Sequence, residues 1–296
     1  MSIDFKKFSG NGMTSDSSRE KLISILKGEG IKNSKAPCTI FRHNDLEHLE
    51  SLLREKDLDQ PKIIVFESLY SMDGTETNVS EYVKLAKKYN ALTYLDEVHA
   101  VGLYGKGGRG VAFKNNVSNQ IDIINGTLAK GFGQIGGYIV ADQTTIDFVR
   151  SFASGFIFTT SMMPSVAAAA TKSIEIVEHL DMERLDIFNK AKYFKQKLKI
   201  LDIPFIDSES HIIPILTHET SRAKLFSRLL LEQYNSYIQP IFYPTVPEGS
   251  ARLRITITPK HSLKDIDELL ASLKRLFDSE SSEQALTLKA RQNQVA

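Results

Sequence analysis

The sequence predicts an α/β protein, with a mostly parallel sheet that carries helices on both faces and a smaller C-terminal α/β domain. Between residues 39 and 179, apolar strand-like runs alternate with helical stretches, as is typical of parallel sheets. Residues 62–67 form a continuous apolar run of the kind that is covered on both faces. The alternation restarts on a smaller scale after about residue 180, which predicts the second domain.

The strands expected in the first part of the chain are short, and helices separate them. Predicted strands cover 39–41, 62–67, 92–95, 121–124 and 137–140, and predicted helices cover 22–26, 46–53, 79–89, 146–152 and 165–179. Asn44 or Asp45 is expected to cap the helix that begins at residue 46, whose leucines share one face. Residues 1–20 are small and polar, so we expect no stable structure from them by themselves.

The second part of the chain repeats this pattern with shorter elements. A long helix is predicted at 182–201, and the elements that follow it are strand 212–215, helix 223–234, strands 238–242 and 253–257, and helix 263–277. Residues 279–296 are polar and are expected to form a frayed tail. The expected domains are therefore a large domain over 36–180 and a small domain over 181–278.

The composition restricts the possible classes of protein. The chain has 296 residues, of which 42% are apolar and 25% charged, and its net charge of +1 gives no indication of nucleic-acid binding. Its single cysteine, Cys38, excludes an internal disulfide and a multi-cysteine zinc site. No apolar run has the length of a signal-peptide core or of a membrane span, so we expect a cytoplasmic protein.

Two segments suggest the chemistry of the protein. The strand that ends at Asp96 is followed by His99, and Lys130 lies among small residues just after the next strand. In parallel sheets, ligands bind at the carboxyl ends of the strands, which is where these three residues are expected. This order suits pyridoxal phosphate, because a lysine holds the cofactor as a Schiff base and a carboxylate keeps its pyridine nitrogen protonated.

Three other interpretations of the motifs fit less well. Residues 96–99 match the DExH box of helicases, but the chain has no GxxxxGK[ST] loop to hold a nucleotide phosphate. Residues 105–110 match GxGxxG, but a dinucleotide-binding fold needs a helix directly after this motif and an acid about 20 residues on. Here residues 111–116 follow and position 130 is a lysine, so a glycine-rich surface loop is the better interpretation. The histidines show no HxxxH or HExxH spacing, which argues against zinc.

Seven segments, in order along most of the chain, carry a resemblance to a known family. They cover 41–45, 66–74, 94–105, 126–133, 136–139, 151–160 and 243–247. Together they resemble the α-oxoamine synthases, fold-type I pyridoxal phosphate-dependent transferases that condense an amino acid with an acyl-CoA. The pair Glu97-Val98 and the run at 156–160 are similar to the branch that condenses glycine with succinyl-CoA to 5-aminolevulinate, in haem biosynthesis.

The resemblance implies a cofactor role for five residues of the first domain. Lys130 is the implied Schiff-base lysine and, once glycine displaces it, the base that removes a Cα proton. Asp96 is implied to pair with the pyridinium nitrogen, and His99 to hydrogen-bond the phenolic oxygen. Ser71 and Thr127 are implied to bind the cofactor through their hydroxyls near its phosphate.

The resemblance also implies a second subunit and a substrate site. Thr159 and Thr160 are implied to reach the cofactor phosphate of the neighbouring subunit, so a homodimer with shared active sites is expected. Arg254, with Arg252 as the second choice, is implied to bind the glycine carboxylate, for which a planar bidentate donor is suited. Thr245 is implied to contact the substrate from a loop.

The match fades over residues 1–35, and the part of the family that supplies a glycine-rich cofactor loop has no counterpart in this sequence. The family also has a histidine that stacks on the cofactor ring, and its nearest match, residues 15–20, contains no histidine. The chain is therefore expected to be truncated at its N-terminus relative to the family, with apolar edges left exposed. Two alternatives stay open. The chain is a catalytically impaired fragment or partner subunit of such an enzyme, or it is an acyl-CoA:amino acid C-acyltransferase that uses another acyl group.

Overall fold

The computed structural model describes residues 2–5 and 36–292, with the side chains of residues 36–279. Contacts divide the chain into two units. Apart from a few N-terminal residues, the first unit extends to Ser71 and resumes over Thr75–Arg184, and the second contains Met72–Gly74 and the chain from Leu185 onward.

The first unit contains an alternation of strands and helices. Its strands are β1 (Ser2–Phe5), β2 (Cys38–Thr39), β3 (Lys62–Glu67), β4 (Leu92–Asp96), β5 (Ile123–Thr127) and β6 (Gly137–Ala141). Its helices are α1 (Leu46–Arg54), α2 (Val79–Lys88), α3 (Val111–Lys114), α4 (Gln143–Phe152), α5 (Ser154–Ile157) and α6 (Pro164–Glu178), and α7 (Asp181–Ile200) begins at its end. Short 3-10 turns lie at Lys106–Gly108 and Ser118–Gln120.

The strands of the first unit form one sheet in the order β2-β1-β3-β4-β5-β6. Neighbouring strands are parallel except for β6, which runs antiparallel to β5. The register pairs Glu67 with Asp96 and Asp96 with Asn125, so the carboxyl ends of β3, β4 and β5 lie level. The mostly parallel sheet that the sequence predicts is confirmed, and its carboxyl edge places polar side chains next to one another.

Local chemistry accounts for the helices and strands that the sequence predicts best. Helix α1 begins after Asp45, whose carboxylate accepts the backbone N–H of His48 at 2.8 Å, which satisfies one of the free donors of the first turn. Burial alternates along β3, and Phe66 on its buried face stacks on Tyr82 of α2 at a ring separation of 4.5 Å. These contacts hold α2 against the sheet that carries the candidate site.

The second unit is a three-stranded antiparallel sheet with helices. After α7 it contains β7 (Ile212–His218), α8 (Thr220–Tyr234), β8 (Gln239–Ile241), β9 (Ala251–Thr256) and α9 (Leu263–Gln292), and the strand order is β7-β9-β8. Its core is built from apolar side chains of α7, β7, α8, β9 and α9, among them Phe194, Ile213, Leu230, Leu253 and Leu273. The predicted α/β pattern of this half of the chain is therefore present.

Two expectations about the ends of the chain are wrong. Residues 2–5, expected to lack structure by themselves, form β1, because β2 and β3 on either side satisfy its backbone hydrogen bonds. The tail expected to fray from residue 279 instead continues α9 to Gln292, since no glycine or proline ends that helix. The helix predicted at 22–26 lies outside the described residues.

Within the described residues, no helix has the length and apolar character needed to cross a membrane.

Candidate active site

Asp96 occupies the carboxyl end of β4, at the centre of the level edge of the sheet. The N–H of Val98 donates to its Oδ1 at 2.9 Å, and the side chain of Asn125, its partner in register, also bonds to the carboxyl. Burial raises the pKa of Asp96, while these hydrogen bonds and the positive charge of Lys130 oppose the rise. A buried carboxylate of this kind is stabilised by a cationic group that lies next to it.

Lys130 lies in the turn that follows β5, and its side chain is exposed. The turn is closed by backbone bonds from Leu128 N–H to Gly136 O at 2.9 Å and from Gly133 N–H to Lys130 O at 3.0 Å. The charge of Lys130 acts on Asp96, so the structure brings together the lysine and the acid that the sequence singles out. The two residues are 34 positions apart and meet because β4 and β5 are neighbours.

A close backbone contact links the segments that follow β4 and β5. A Cβ on Gly131 would lie 2.8 Å from Val101 O and 3.3 Å from Gly102 Cα, a distance that only glycine permits. His99 lies in the turn between Asp96 and Gly102, in which the N–H groups of Ala100 and Val101 donate to Glu97 O. The turn with His99 and the turn with Lys130 therefore share one edge of the sheet.

The predicted hydroxyl ligands lie at the carboxyl ends of neighbouring strands. Thr127 ends β5, and its hydroxyl donates to Gly136 O at 3.2 Å and accepts the N–H of Ala129 at 3.1 Å. Ser71 follows β3 in a half-buried turn, where its backbone N–H donates to Glu67 Oε2 at 3.1 Å. Both residues share the edge with Asp96, and their roles as cofactor ligands stay predictions.

Thr159 and Thr160 lie apart from this group in sequence, in the connection between α5 and α6. Both are exposed, and so are the aromatic side chains that precede them, with Phe158 at 87% and Phe152 at 71% exposure. An apolar surface this open is typical of a contact with another polypeptide. The structure therefore places the two threonines on a surface of that kind.

In the second unit, β9 contains both arginines that the resemblance implies as candidate ligands of the glycine carboxylate. Arg252 is 1% exposed and its Nη1 lies 2.5 Å from Asp73 Oδ1 and 3.1 Å from Met72 O, so it is bound within the protein. Arg254 is only partly buried, and burial lowers its pKa. Thr245 lies half-buried in the connection between β8 and β9. Arg252 is therefore held in an internal ion pair, and the role of Arg254 as the carboxylate ligand stays a prediction.

The sequence comparison decides the family. The model of the family described as aminotransferase class I and II matches residues 21–273. The chain belongs to this family. It is 49% identical over 249 residues to a 5-aminolevulinate synthase of Rickettsia prowazekii (strain Madrid E), a match that covers 84% of this chain and 60% of that protein. It is 47% identical over 251 residues to the 5-aminolevulinate synthase of Rhodobacter capsulatus, with 84% and 61% covered.

A solved structure of the same fold supports membership of the aminotransferase class I and II family. It is a serine palmitoyltransferase from S. paucimobilis, with bound PLP-myriocin aldimine, and it superposes with a TM-score of 0.83 at 27% identity. The match covers 94% of this chain and 67% of that chain. The chain spans less than two thirds of the length of the curated relatives it matches, because the match covers 60% of the 5-aminolevulinate synthase of Rickettsia prowazekii.

This member of the aminotransferase class I and II family has a second buried acid next to Asp96, which the sequence does not predict as a site residue. Glu97 is 1% exposed, and burial raises the pKa of its carboxyl to about 7. It accepts the N–H groups of Val111 and Ala112 at 3.0 Å and 2.8 Å. Its position directly after Asp96 is the signal that the sequence offers. Neighbouring residues at a strand end point to opposite faces, so Glu97 is expected to point away from the face of Asp96 and into the protein.

The glycine-rich segment over residues 105–110 is only partly the surface loop expected from the sequence. Lys106 and Arg109 are exposed, but Gly108 and Gly110 are buried. The segment follows a turn rather than a strand, and it leads directly into the short helix α3. Its glycines allow the loop to approach other backbone segments closely, which is a structural use of the motif.

Proposed function

We propose that the chain is a pyridoxal phosphate-dependent acyltransferase that condenses glycine with succinyl-CoA, giving 5-aminolevulinate, CoA and CO₂ for haem biosynthesis. The observation that carries the proposal is the electrostatic pairing of Asp96 with Lys130 at one sheet edge, in a chain 49% identical to a 5-aminolevulinate synthase. Within the described residues no group of three potential metal ligands occurs, and the proposal invokes no metal.

The residues at the sheet edge fit pyridoxal phosphate. When bound, this cofactor supplies a protonated pyridine ring that withdraws electrons from the Cα of an amino acid. The carboxylate of Asp96, raised in pKa by burial, is suited to hold the proton on that ring nitrogen through an ion pair. His99, Ser71 and Thr127 follow or end strands at the same edge, and we assign their hydrogen-bonding groups to the ring oxygen and the phosphate.

Lys130 performs two tasks in this proposal. Its Nζ would hold the aldehyde carbon of the cofactor covalently, with loss of water. Once the glycine amine has displaced it, the freed amine of Lys130 would accept the proton that leaves glycine Cα. The exposure of its side chain and the small neighbours Ala129 and Gly131 leave room for the amine to move between these positions. The closed turn around it keeps the backbone in place while the side chain moves.

Arg254 and Thr245 are the proposed substrate residues. The guanidinium of Arg254 binds the glycine carboxylate, and the internal ion pair of Arg252 leaves that task to Arg254. Thr245, in the connection between β8 and β9, orients the substrate. The domain division behind this assignment, with a partial cofactor domain over 36–180 and a small domain over 181–278, is part of the proposal.

A homodimer with shared active sites belongs to the same proposal. Thr159 and Thr160 would donate to the cofactor phosphate of the partner subunit from an exposed apolar surface. Burial of that surface by a second copy would remove the exposed aromatic side chains from water. We also propose a cytoplasmic location, since a single cysteine is typical of a reducing compartment.

The cofactor proposal is tested by covalent labelling of the lysine. Pyridoxal phosphate and borohydride should attach the cofactor to Lys130 in the purified chain, as located by peptide mass spectrometry. Lys130→Ala should abolish the label because it removes the amine whose charge acts on Asp96. Lys84→Ala, which removes an exposed lysine of helix α2, is the matched control and should leave the label intact. A label that persists in Lys130→Ala would refute the assignment.

The substrate proposal is tested by glycine-dependent release of CoA. Succinyl-CoA should release CoA, whereas acetyl-CoA and palmitoyl-CoA should not. Turnover with another acyl-CoA would favour a different C-acyltransferase, a candidate that the likeness to serine palmitoyltransferase supports. Covalent labelling of Lys130 without any turnover would favour an impaired partner subunit, a candidate that the 60% coverage of the relatives supports.

A further inference from the structure

Glu97 joins two segments that the proposed mechanism leaves unconnected. Its carboxylate accepts the N–H groups of Val111 and Ala112 in the first turn of α3, at 3.0 Å and 2.8 Å. A Cβ on Gly110 would lie 1.6 Å from Glu97 Oε2, so the carboxylate presses directly against the backbone of the glycine-rich loop. The end of β4 and the end of this loop are therefore held together by one buried side chain.

The other part of the glycine-rich loop contacts the turn that follows β4. Gly102 N–H donates to Gly108 O at 2.7 Å, and a Cβ on Gly108 would lie 2.8 Å from the carbonyl carbon of Gly102. Gly110 N–H donates to Tyr104 O at 2.7 Å, which closes the loop on the same turn. Because these are backbone contacts without intervening side chains, a shift of the loop moves Gly102 with it.

Gly102 in turn contacts the segment that carries the proposed catalytic lysine. A Cβ on Gly102 would lie 3.2 Å from Gly131 Cα, and a Cβ on Gly131 would lie 2.8 Å from Val101 O. Gly131 directly follows Lys130. A continuous set of contacts therefore leads from Glu97 through Gly110, Gly108 and Gly102 to the backbone of Lys130.

Glu97 is also adjacent to the acid of the site. Asp96 ends β4, and Glu97 N–H continues the ladder by donating to Asn125 O at 2.8 Å. Because successive side chains of a strand point to opposite faces, Asp96 meets the charge of Lys130 while Glu97 meets the loop.

We propose that Glu97 is a positioning residue, which sets the location of Lys130 relative to Asp96 by holding the glycine-rich loop against Gly102 and Gly131. This inference rests on the proposed function, because the proposed function assigns Lys130 to the cofactor. The contacts themselves can be tested without cofactor, which separates the two claims.

The first test measures amide hydrogen exchange of the full chain without cofactor. Glu97→Gln replaces one acceptor oxygen with a donor, so peptides covering 108–112 and 130–134 should both exchange faster. Asp122→Asn is the matched control, because Asp122 also bonds to backbone and hydroxyl groups of β4 at Thr93, near its opposite end, each at 2.7 Å. That control should leave both peptides unchanged. Faster exchange at 108–112 alone would show that the effect stops short of Lys130 and would overturn the proposal.

The second test measures cofactor binding. Glu97→Gln should still form the borohydride-trapped label on Lys130 at saturating cofactor, but with about tenfold weaker affinity, as is typical when a group that orients a ligand is lost. Asp122→Asn should bind as the wild type does. Equal affinities in the two variants would overturn the proposal, whereas absence of any label in the wild type would refute the proposed function instead.

The third test approaches the same contacts from the lysine. Gly131→Ala forces Val101 O and Gly102 away and should reproduce the loss of affinity with Glu97 intact. Gly133→Asn is the control in the same turn, since a Cβ there meets nothing within 4 Å and asparagine tolerates its φ of +64°. If Gly131→Ala binds the cofactor as tightly as Gly133→Asn, the glycine contact does not position Lys130 and the proposal fails.

Discussion

At the scale of single residues, the candidate site contains two neighbouring buried acids that have different partners. Burial raises the pKa of both Asp96 and Glu97, but only Asp96 has a lysine close enough to oppose the rise. For Glu97, the N–H groups of α3 oppose the rise only in part, and the pKa of its carboxyl is about 7. One acid is therefore prepared for a cationic partner, and the other for a hydrogen-bonding task inside the protein.

The raised pKa of Glu97 predicts how folding stability changes with pH. The ordinary pKa is 4.5, so between pH 4.5 and 7 the folded state binds the proton more tightly than the unfolded state does. Ionisation of Glu97 should therefore lower the free energy of unfolding by about 3 kcal/mol as pH rises through this window. Glu97→Gln should lose this dependence.

Urea unfolding of the wild type and Glu97→Gln at pH 4.5 and pH 8 measures the effect. The stability of the variant relative to the wild type should rise with pH. Asp122→Asn serves as the control, and a difference between Glu97→Gln and wild type that stays constant with pH would contradict the assigned pKa.

At the scale of elements, strand β9 is tied to a segment far away in the sequence. Arg252 and Asp73 are 179 positions apart and both are nearly inaccessible to water, with their charged atoms 2.5 Å from each other. Gly74 next to Asp73 has a φ of +69°, and a Cβ there would lie 2.6 Å from Ile212 O at the start of β7. Met72–Gly74 is thus packed into the sheet of the second unit.

The buried ion pair predicts that the loss of one partner lowers the free energy of unfolding more than the loss of both partners does. Arg252→Met should lower the free energy of unfolding by about 3–5 kcal/mol, because it leaves the carboxylate of Asp73 buried without its partner. The double variant Asp73→Asn with Arg252→Met should recover part of the loss, since the uncompensated charge is gone. Thermal or urea unfolding measures both.

An exposed pair in the same unit is the matched control for this prediction. Lys199 and Asp207 form an ion pair in which both side chains are more than half exposed. Lys199→Met should cost about 1 kcal/mol or less, because water solvates the remaining charge. Equal losses in Lys199→Met and Arg252→Met would show that the buried pair contributes no more than a surface pair.

At the scale of the whole molecule, the first unit presents apolar side chains to solvent over α4, α5 and the start of α6. Phe148, Phe152 and Phe158 are 63%, 71% and 87% exposed, and Met163 is 65% exposed. Such a group is larger than the scattered apolar residues of ordinary surfaces. The proposed homodimer gives this surface a partner, and the exposed threonines lie within it.

Substitution of this surface tests the proposed dimer. Phe158→Asp should shift the protein from dimer to monomer in sedimentation velocity, because a carboxylate would be buried at the contact. Leu58→Asp is the control, as Leu58 is 56% exposed in the connection between α1 and β3. A wild type that sediments as a monomer, or a Phe158→Asp variant that remains dimeric, would contradict the proposal.

Much of the secondary structure was predictable because its signals are local. The apolar run of β3, the Asp45 cap of α1 and the lysine that follows β5 are all patterns within a few neighbouring residues. The ends of the chain were predicted less well. Strand β1 depends on β2 and β3, which begin more than 30 residues later, and composition alone carries no information on that pairing.

Residue type and periodicity encode the α/β class, most of the order of elements and the candidates Asp96, His99 and Lys130 locally. The tertiary structure determined features that depend on distant residues, such as the internal ion pair of Arg252 with Asp73, 179 positions away, while Arg254 as the ligand of the glycine carboxylate stays a proposal. It also decided the task of Glu97, whose partners Val111 and Ala112 come close only when the glycine-rich loop folds back on β4. Contacts of this kind arise from packing, and no local pattern specifies them.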